Sequence, residues 1–386
     1  MNKSQKSKLK SQKLQVFLLT FLSFYFLLFT AHCYAAQTVR VAIIQDASSL
    51  SLKIKGAFEI RDLENNKIVY RHKGINTTVT TYKNGIILGA IKSDSHNLLI
   101  ESDDPEAILI NARLFRGNIQ FIRNSANKLL VVNHIALEDY IKGILYHESS
   151  HYWPIEALKA QAIISRTYAL YQMQESKLKD FDVTSGIYSQ VYGGQTSERY
   201  RTNKAVDETE GQALFYKGKI IPAYFHATCG GHTEDAAVLW NIDLAPLKGV
   251  VCPYCRESPH FNWHYDLTLK EIEKKLSAGG FKVKNISNIE IKGRDKSGRV
   301  ISLRIVSEGG EANISAKDFR SLIGPNIVNS ANFSISIAGR DAVFEGLGWG
   351  HGVGLCQWGA YFMAKDGSNV EQILKYYYPG VNVKTF

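Results

Sequence analysis

Pro154 splits what would otherwise read as one long helix, and the split decides where Glu148 stands. The run from Leu137 to Tyr171, LEDYIKGILYHESSHYWPIEALKAQAIISRTYALY, carries two helical patterns. In the first, Leu137, Tyr140, Ile141 and Ile144 recur at helical spacing, so a short helix is expected from Ala136 to near Tyr146. Pro154 then clashes with the carbonyl of Ser150 and drives Trp153 out of the helical region. The same proline suits the first position of a second helix, with Glu156 in the first turn, where the helix dipole favours an acid. That second helix, 155 to about 178, is Ala-rich. Its stripe through Leu158, Ala162, Ser165, Ala169 and Met173 has small members that allow close packing, so it is expected in the interior. Arg166 on such a helix needs a partner, because an unpaired buried guanidinium is costly.

His147-Glu148-Ser149-Ser150-His151 is also a literal H-E-x-x-H, the zinc-protease signature. That chemistry needs both histidines on one helical face, one turn apart, with the glutamate as base. Pro154 would force the helix to end directly after its ligands. A third histidine would be due at position 157, where Ala157 stands. Glu175 remains available as a distant third ligand, so the protease stays as the least favoured of three functional readings.

The first residues carry Lys3, Lys6, Lys8, Lys10 and Lys13 and no acid, and an apolar run from Leu14 to Thr30 follows. Cys33 and Ala35 then stand at the −3 and −1 positions of a cleavage site, which is the order of a secretory signal over 1–35. The apolar run approaches the length of a spanning helix, so a retained membrane anchor is the competing reading. Thr30-Ala31-His32 makes a poor lipobox. Either way the body of the protein is expected to be exported, periplasmic or extracellular. Of the formal charge of +10, five charges belong to these lysines, leaving 10 − 5 = +5 for the rest. So mild an excess suits an anionic polymer such as cell-wall glycan and is too dispersed to argue for nucleic acid.

The fold class expected is α+β. Residues 37–133 read as a β-rich lobe of short strands such as VRVAII, FEIRDL, KIVYRHK and TVTTY, broken by Asn-Gly and Asn-Lys turns. Residues 134–386 read as a mixed helix and strand domain carrying the chemistry.

Three ordered blocks carry a resemblance. They are LEDYIKGILYHESSHYWPIEALKAQAIISRTYAL, then SQVYGG with AVDETEGQALFY and YFHATCGGHTEDAAVLW, and finally GLGWGHGVGLCQWGAYFMAKDG. Together they resemble the family of stage II sporulation protein D and the related amidase enhancers, from about Val132 to the C-terminus. The resemblance implies a peptidoglycan lytic transglycosylase, acting on glycan strands with Glu148 as its single acid/base. A raised pKa from apolar walls such as Tyr152 and Trp153 is expected. It also implies that Arg166, Gln190, Tyr192, His351 and Gln357 line the sugar groove, with Arg166 either ion-paired or holding an anionic group. Trp349 and Trp358 are candidates for stacking on sugars or for the core. The family usually has Met after its glutamate and no flanking histidines, where this chain has Ser149, His147 and His151. A different class of function also fits the blocks: a module that binds peptidoglycan and enhances a cell-wall amidase without cleaving anything.

His226-x2-Cys229-x2-His232, followed by Cys252-x2-Cys255, has the spacing of a structural zinc site. Cys229, Cys252 and Cys255 would supply three ligands, and His226 and His232 compete for the fourth. The rival is a Cys252–Cys255 disulfide in an exported protein. Cys356 is left over as a free, buried thiol. The proposed chemistry itself requires no cofactor.

Overall fold

Alternation along the chain builds the first hundred residues. The computed structural model describes residues 37–104, 106–186 and 189–386, so the leader or anchor expected over 1–35 lies outside the described residues. The strands are β1 (Thr38–Ala47), β2 (Ser49–Asp62), β3 (Lys67–Tyr82), β4 (Gly85–Leu88), β5 (Ile91–Ser93), β6 (Asn97–Ser102), β7 (Ile108–Ile110), β8 (Arg113–Phe115), β9 (Asn118–Arg123) and β10 (Leu129–Ala136). Sequence reading starts the second strand only at Phe58. The structure starts it at Ser49, because Leu50, Leu52 and Ile54 alternate with Ser49, Ser51 and Lys53 and bury one face. Two expected strands, 67–73 and 78–82, are one continuous β3. With β11 (Val183–Thr184) these strands form a sheet in the order β11-β1-β10-β9-β6-β2-β3-β4-β5, and β7 and β8 attach at β2.

The chain leaves β10 at Ala136 and enters α1 (Leu137–Glu148) at once. Its buried face contains the four positions read from the sequence, Leu137, Tyr140, Ile141 and Ile144. After the break, α2 (Ile155–Glu175) is buried nearly all round and has no single apolar stripe. On one side Leu158, Ala162, Ala169 and Leu170 share an interior with α1 and with sheet residues such as Val39 and Phe121. On the other side Ala160, Ile163 and Ile164 pack in a second interior with Leu355, Ile373 and Leu374. The expected interior helix is thus the common wall of two cores. Beyond it lie α3 (Tyr200–Asp207), α4 (Ala236–Trp240), α5 (Leu269–Ala278), α6 (Ala316–Ile323), α7 (Gln357–Lys365) and α8 (Val370–Tyr377).

Between Asn262 and Leu347 two three-stranded sheets with α5 and α6 enclose a third interior, including Ile272, Leu303, Phe319 and Phe344. From Thr38 to Phe386 the chain is one compact unit. The whole is mixed α+β with its strand-rich part first. Among the described residues no helix is long and apolar enough to cross a membrane.

Arg166 sits fully buried on α2, and the structure removes it from the sugar groove. Its guanidinium grips the Glu138 carboxylate of α1 through Nε at 2.7 Å and Nη2 at 2.6 Å, and donates to the Gln212 carbonyl at 3.0 Å. A side chain with no exposed surface reaches no ligand; it ties α1 to α2 instead. Arg166→Met should therefore lower the unfolding free energy by about 3 kcal/mol, since Glu138 is left without its partner. Urea unfolding should show a lower midpoint at unchanged slope, and a midpoint equal to wild type would contradict a structural role for the pair.

Candidate active site

Glu148 is the last residue of α1, and Ser149 turns the chain into extended backbone at φ −146° and ψ 139°. Burial raises the Glu148 pKa from the ordinary 4.5 to about 7, opposed only by the Val191 N–H. That N–H donates to Glu148 Oε1 at 3.1 Å. No second carboxylate takes part in the shift.

The residues around Val191 explain how the N–H is held. Gln190 is buried, accepting from the Tyr140 hydroxyl at 3.1 Å and donating to the Ser165 carbonyl at 3.4 Å. Tyr192 is equally buried: its hydroxyl donates to Asn133 Oδ1 at 2.8 Å and its ring packs on Tyr140 and Phe115. Gly143 gives that ring its room, because a Cβ there would run into it. Gln190 and Tyr192 were expected to line the groove. Their burial makes them anchors on either side of the donor that touches Glu148.

Gln357, the first residue of α7, reaches the same point from the far end of the chain. Its amide donates to the Glu148 carbonyl at 2.9 Å and to Gln161 Oε1 at 3.2 Å. It caps an orphan carbonyl at the end of α1. It was expected to line the sugar groove; the structure has it working on the backbone of Glu148 and itself buried.

His351 belongs to a neighbouring aromatic group. Its ring lies 4.9 Å from Trp240, 5.6 Å from His226 and 6.3 Å from Tyr224, and Nδ1 accepts from the Val353 N–H at 3.1 Å. Burial first, then the positive charge of Arg320, pushes its pKa down to about 3, so the ring is neutral. Tyr224 leads back toward Glu148, since it packs 6.2 Å from Tyr168, whose own pKa is raised by burial and then by the charge of Glu148. Tyr168, Tyr224 and Trp240 are half-buried and form an aromatic wall beside the carboxyl. Sequence reading named none of them, although all three lie inside the blocks that carry the resemblance.

Tyr152 does not form the apolar wall expected of it, and the zinc-protease reading, the least favoured from the sequence, finds no support in the geometry. Tyr152 is 80% exposed and covers nothing, and Trp153 packs on Trp358 and Tyr361 at 5.2 and 5.3 Å. Trp349 is half-buried against His260 at 4.7 Å. The zinc-protease geometry is absent because the helix stops at Glu148. His147 Nε2 pairs with Ser197 Oγ at 2.6 Å, whereas His151, beyond the helix, stacks on Tyr152 at 4.0 Å.

The cysteines correct another expectation. Sγ atoms of Cys229, Cys252, Cys255 and Cys356 all lie within 4.8 Å of one another, and all four thiols are buried and free. The Cys252–Cys255 bridge is not formed. The fourth member is Cys356, not a histidine. His226 Nδ1 is taken by the Val353 carbonyl at 3.1 Å and His232 Nδ1 by the Thr233 carbonyl at 2.6 Å. A parallel strand pair, Phe225–His226 with Leu355–Cys356, carries Cys356 into the group, where its sulfur accepts from the Cys229 N–H at 3.3 Å. No spacing rule in the sequence links position 356 to 229.

Comparison with known proteins bears on what this arrangement is. Residues 125–216 match a family model described as stage II sporulation protein, and residues 254–354 match one described as a domain of unknown function. The chain is 33% identical to an uncharacterized protein of Brachyspira hyodysenteriae, over 91% of this chain and 94% of that one. It is 31% identical to stage II sporulation protein D of Bacillus subtilis, over 65% of this chain and 75% of that one. An amidase enhancer of Bacillus subtilis is 25% identical, over 64% of this chain and 40% of its own. By these matches, and by the three sequence blocks that meet around Glu148, the chain belongs to the stage II sporulation protein D family.

Proposed function

We propose that the protein is an exported peptidoglycan lytic transglycosylase that cleaves the bond between N-acetylmuramic acid and N-acetylglucosamine. The observation that carries the reading is the single carboxyl of Glu148, desolvated at a helix end and still half protonated near pH 7. One such group suffices for both halves of the reaction. As an acid it gives its proton to the glycosidic oxygen as the C1–O bond breaks, releasing the N-acetylglucosamine hydroxyl. As a carboxylate it then takes the proton of the muramyl C6 hydroxyl, whose oxygen bonds to C1 and closes a 1,6-anhydro ring. Water is not consumed and the acid is regenerated. A hydrolysing glycosidase would ordinarily want a second carboxylate to position water or attack C1. The Val191 N–H fixes the carboxyl, and the wall of Tyr168, Tyr224 and Trp240 is suited to sugar faces.

A second reading, a peptidoglycan-binding enhancer of a cell-wall amidase, is favoured by the likeness to the Bacillus subtilis protein of that name. The two part on product formation.

The buried thiols suit a structural zinc ion. Four thiolates at about 2.3 Å from one ion stand about 3.8 Å apart, compatible with sulfurs grouped within 4.8 Å. Cys229, Cys252, Cys255 and Cys356 would hold it, and it would fix the loops they come from without touching substrate.

Four outcomes are expected. Mass spectrometry of glycan digests should find anhydromuropeptides with wild type and at least about 100-fold fewer with Glu148→Gln. Wild type without products would favour the enhancer, and products surviving in the variant would remove Glu148 from its role. Because the acid form starts the reaction, kcat/KM should fall as pH rises through about 7. The same raised pKa disfavours the charged state in the fold. Glu148→Gln should therefore be more stable than wild type above pH 7, on the order of 1–3 kcal/mol. That difference should vanish as pH falls below about 4.5, where the carboxyl becomes protonated in the unfolded state as well as in the fold. Finally, elemental analysis should find one zinc per chain, and Cys356→Ser should lose metal and several degrees of Tm; a metal-free protein with unchanged Tm would refute the site.

A further inference from the structure

Outside the aromatic wall, the surface next to Glu148 carries a second group of side chains that the chemistry above does not use. Tyr152 and Tyr200 are 80% and 82% exposed, far more than tyrosines that serve a core. Neither hangs on a loose segment. Arg201, one residue after Tyr200 at the start of α3, donates to the carbonyls of His151 and Trp153, each at 2.9 Å. It therefore staples the turn bearing Tyr152 to the helix bearing Tyr200.

Two guanidiniums flank this pair. Arg199 lies 4.4 Å from the centre of the Tyr146 ring and spends its hydrogen bonds on the carbonyls of Thr196 and Glu198. The nearest acid in sequence, Glu198, is taken by Arg116 at 2.9 Å, so it does not neutralise Arg199. Arg113, at the start of β8, is exposed as well. Among the described residues neither Arg113 nor Arg199 forms an ion pair, whereas their neighbour Arg116 is paired with both Glu106 and Glu198. Both lie close enough to His147 that, after burial, their charge lowers its pKa. His147 pairs with Ser197 Oγ at 2.6 Å and precedes Glu148 in the last turn of α1, which sets Arg199 beside the helix end that bears the carboxyl.

Rigid exposed tyrosines beside uncompensated guanidiniums match one ligand chemistry. Aromatic faces stack on sugar rings, and guanidinium forks grip carboxylates in pairs of hydrogen bonds. We infer that Arg113, Arg199, Tyr152 and Tyr200 form a subsite for a carboxylate carried on the glycan strand, next to the bond that Glu148 attends. The inference rests on the proposed glycan substrate but not on its cleavage. Two sources of carboxylate exist on such a strand, the lactyl group of muramic acid and the acids of a stem peptide, and both satisfy the same geometry.

The test is binding, in a Glu148→Gln background so that no turnover intervenes. Calorimetry or fluorescence would compare three probes: peptide-free glycan strands, peptide-bearing strands, and neutral chitin oligomers of similar length. At least one carboxylate-bearing probe should bind about tenfold tighter than chitin, with the preference falling as salt rises. Whichever of the two is preferred identifies the source of the carboxylate. Arg113→Ala/Arg199→Ala should abolish the preference and leave chitin affinity unchanged, whereas Tyr152→Ala/Tyr200→Ala should weaken all three probes. All four side chains are exposed, and an unchanged Tm checks that the variants are folded. No preference in the parent protein, or a preference that survives the double arginine variant, would overturn the subsite. So would tighter binding to vesicles of anionic phospholipid than to any glycan. Should Glu148 prove inert in cleavage while the preference stands, the subsite survives and only the catalytic reading is lost.

Discussion

Everything near Glu148 depends on α2 being buried on both sides. A helix with one apolar stripe leaves its other face to water. This one gives Leu158 and Ala162 to one core and Ile163 and Ile164 to another. With no wet face, its one guanidinium had to find its partner inside, and Glu138 of α1 supplies it. That contact fixes the start of α1 against α2. Gln161 of α2, through Gln357, fixes its end. Glu148 is thus held by a frame of buried side chains, with only Glu138 half-buried, which is how a site on a helix end keeps its geometry.

The carboxyl is set in tension with its surroundings. Burial disfavours its charge, while a single N–H favours it. Further donors would lower the pKa and loss of this one would raise it. With one donor it lies at about 7. Gln190 and Tyr192 matter because they hold the peptide between them to this one bond.

Periodicity made α1, the break at Pro154 and the interior nature of α2 legible in the sequence, because those features follow from local sterics and spacing. The position of Glu148 at that break was legible for the same reason, whereas a role for it came only from the family resemblance. Less legible was what the polar motif residues do. Gln190, Tyr192 and Gln357 were read as facing a ligand, and all three are buried, since a polar side chain looks the same in sequence whether it meets a sugar or a backbone carbonyl; of the two readings of Arg166, the ion pair is the one present. Leu50, Leu52 and Ile54 show the opposite case: their alternation was present and simply unread. Cys356 was out of reach, because its place beside Cys229 is made by a strand pairing across 127 positions.

That pairing has a consequence for how the molecule comes into being. Cys356 is followed at once by Gln357, whose amide holds the carbonyl of a residue 209 positions earlier. Glu148 is made first, yet its clamp arrives only 209 positions later. A nascent chain that stops short of Gln357 carries this carboxyl without its fastening.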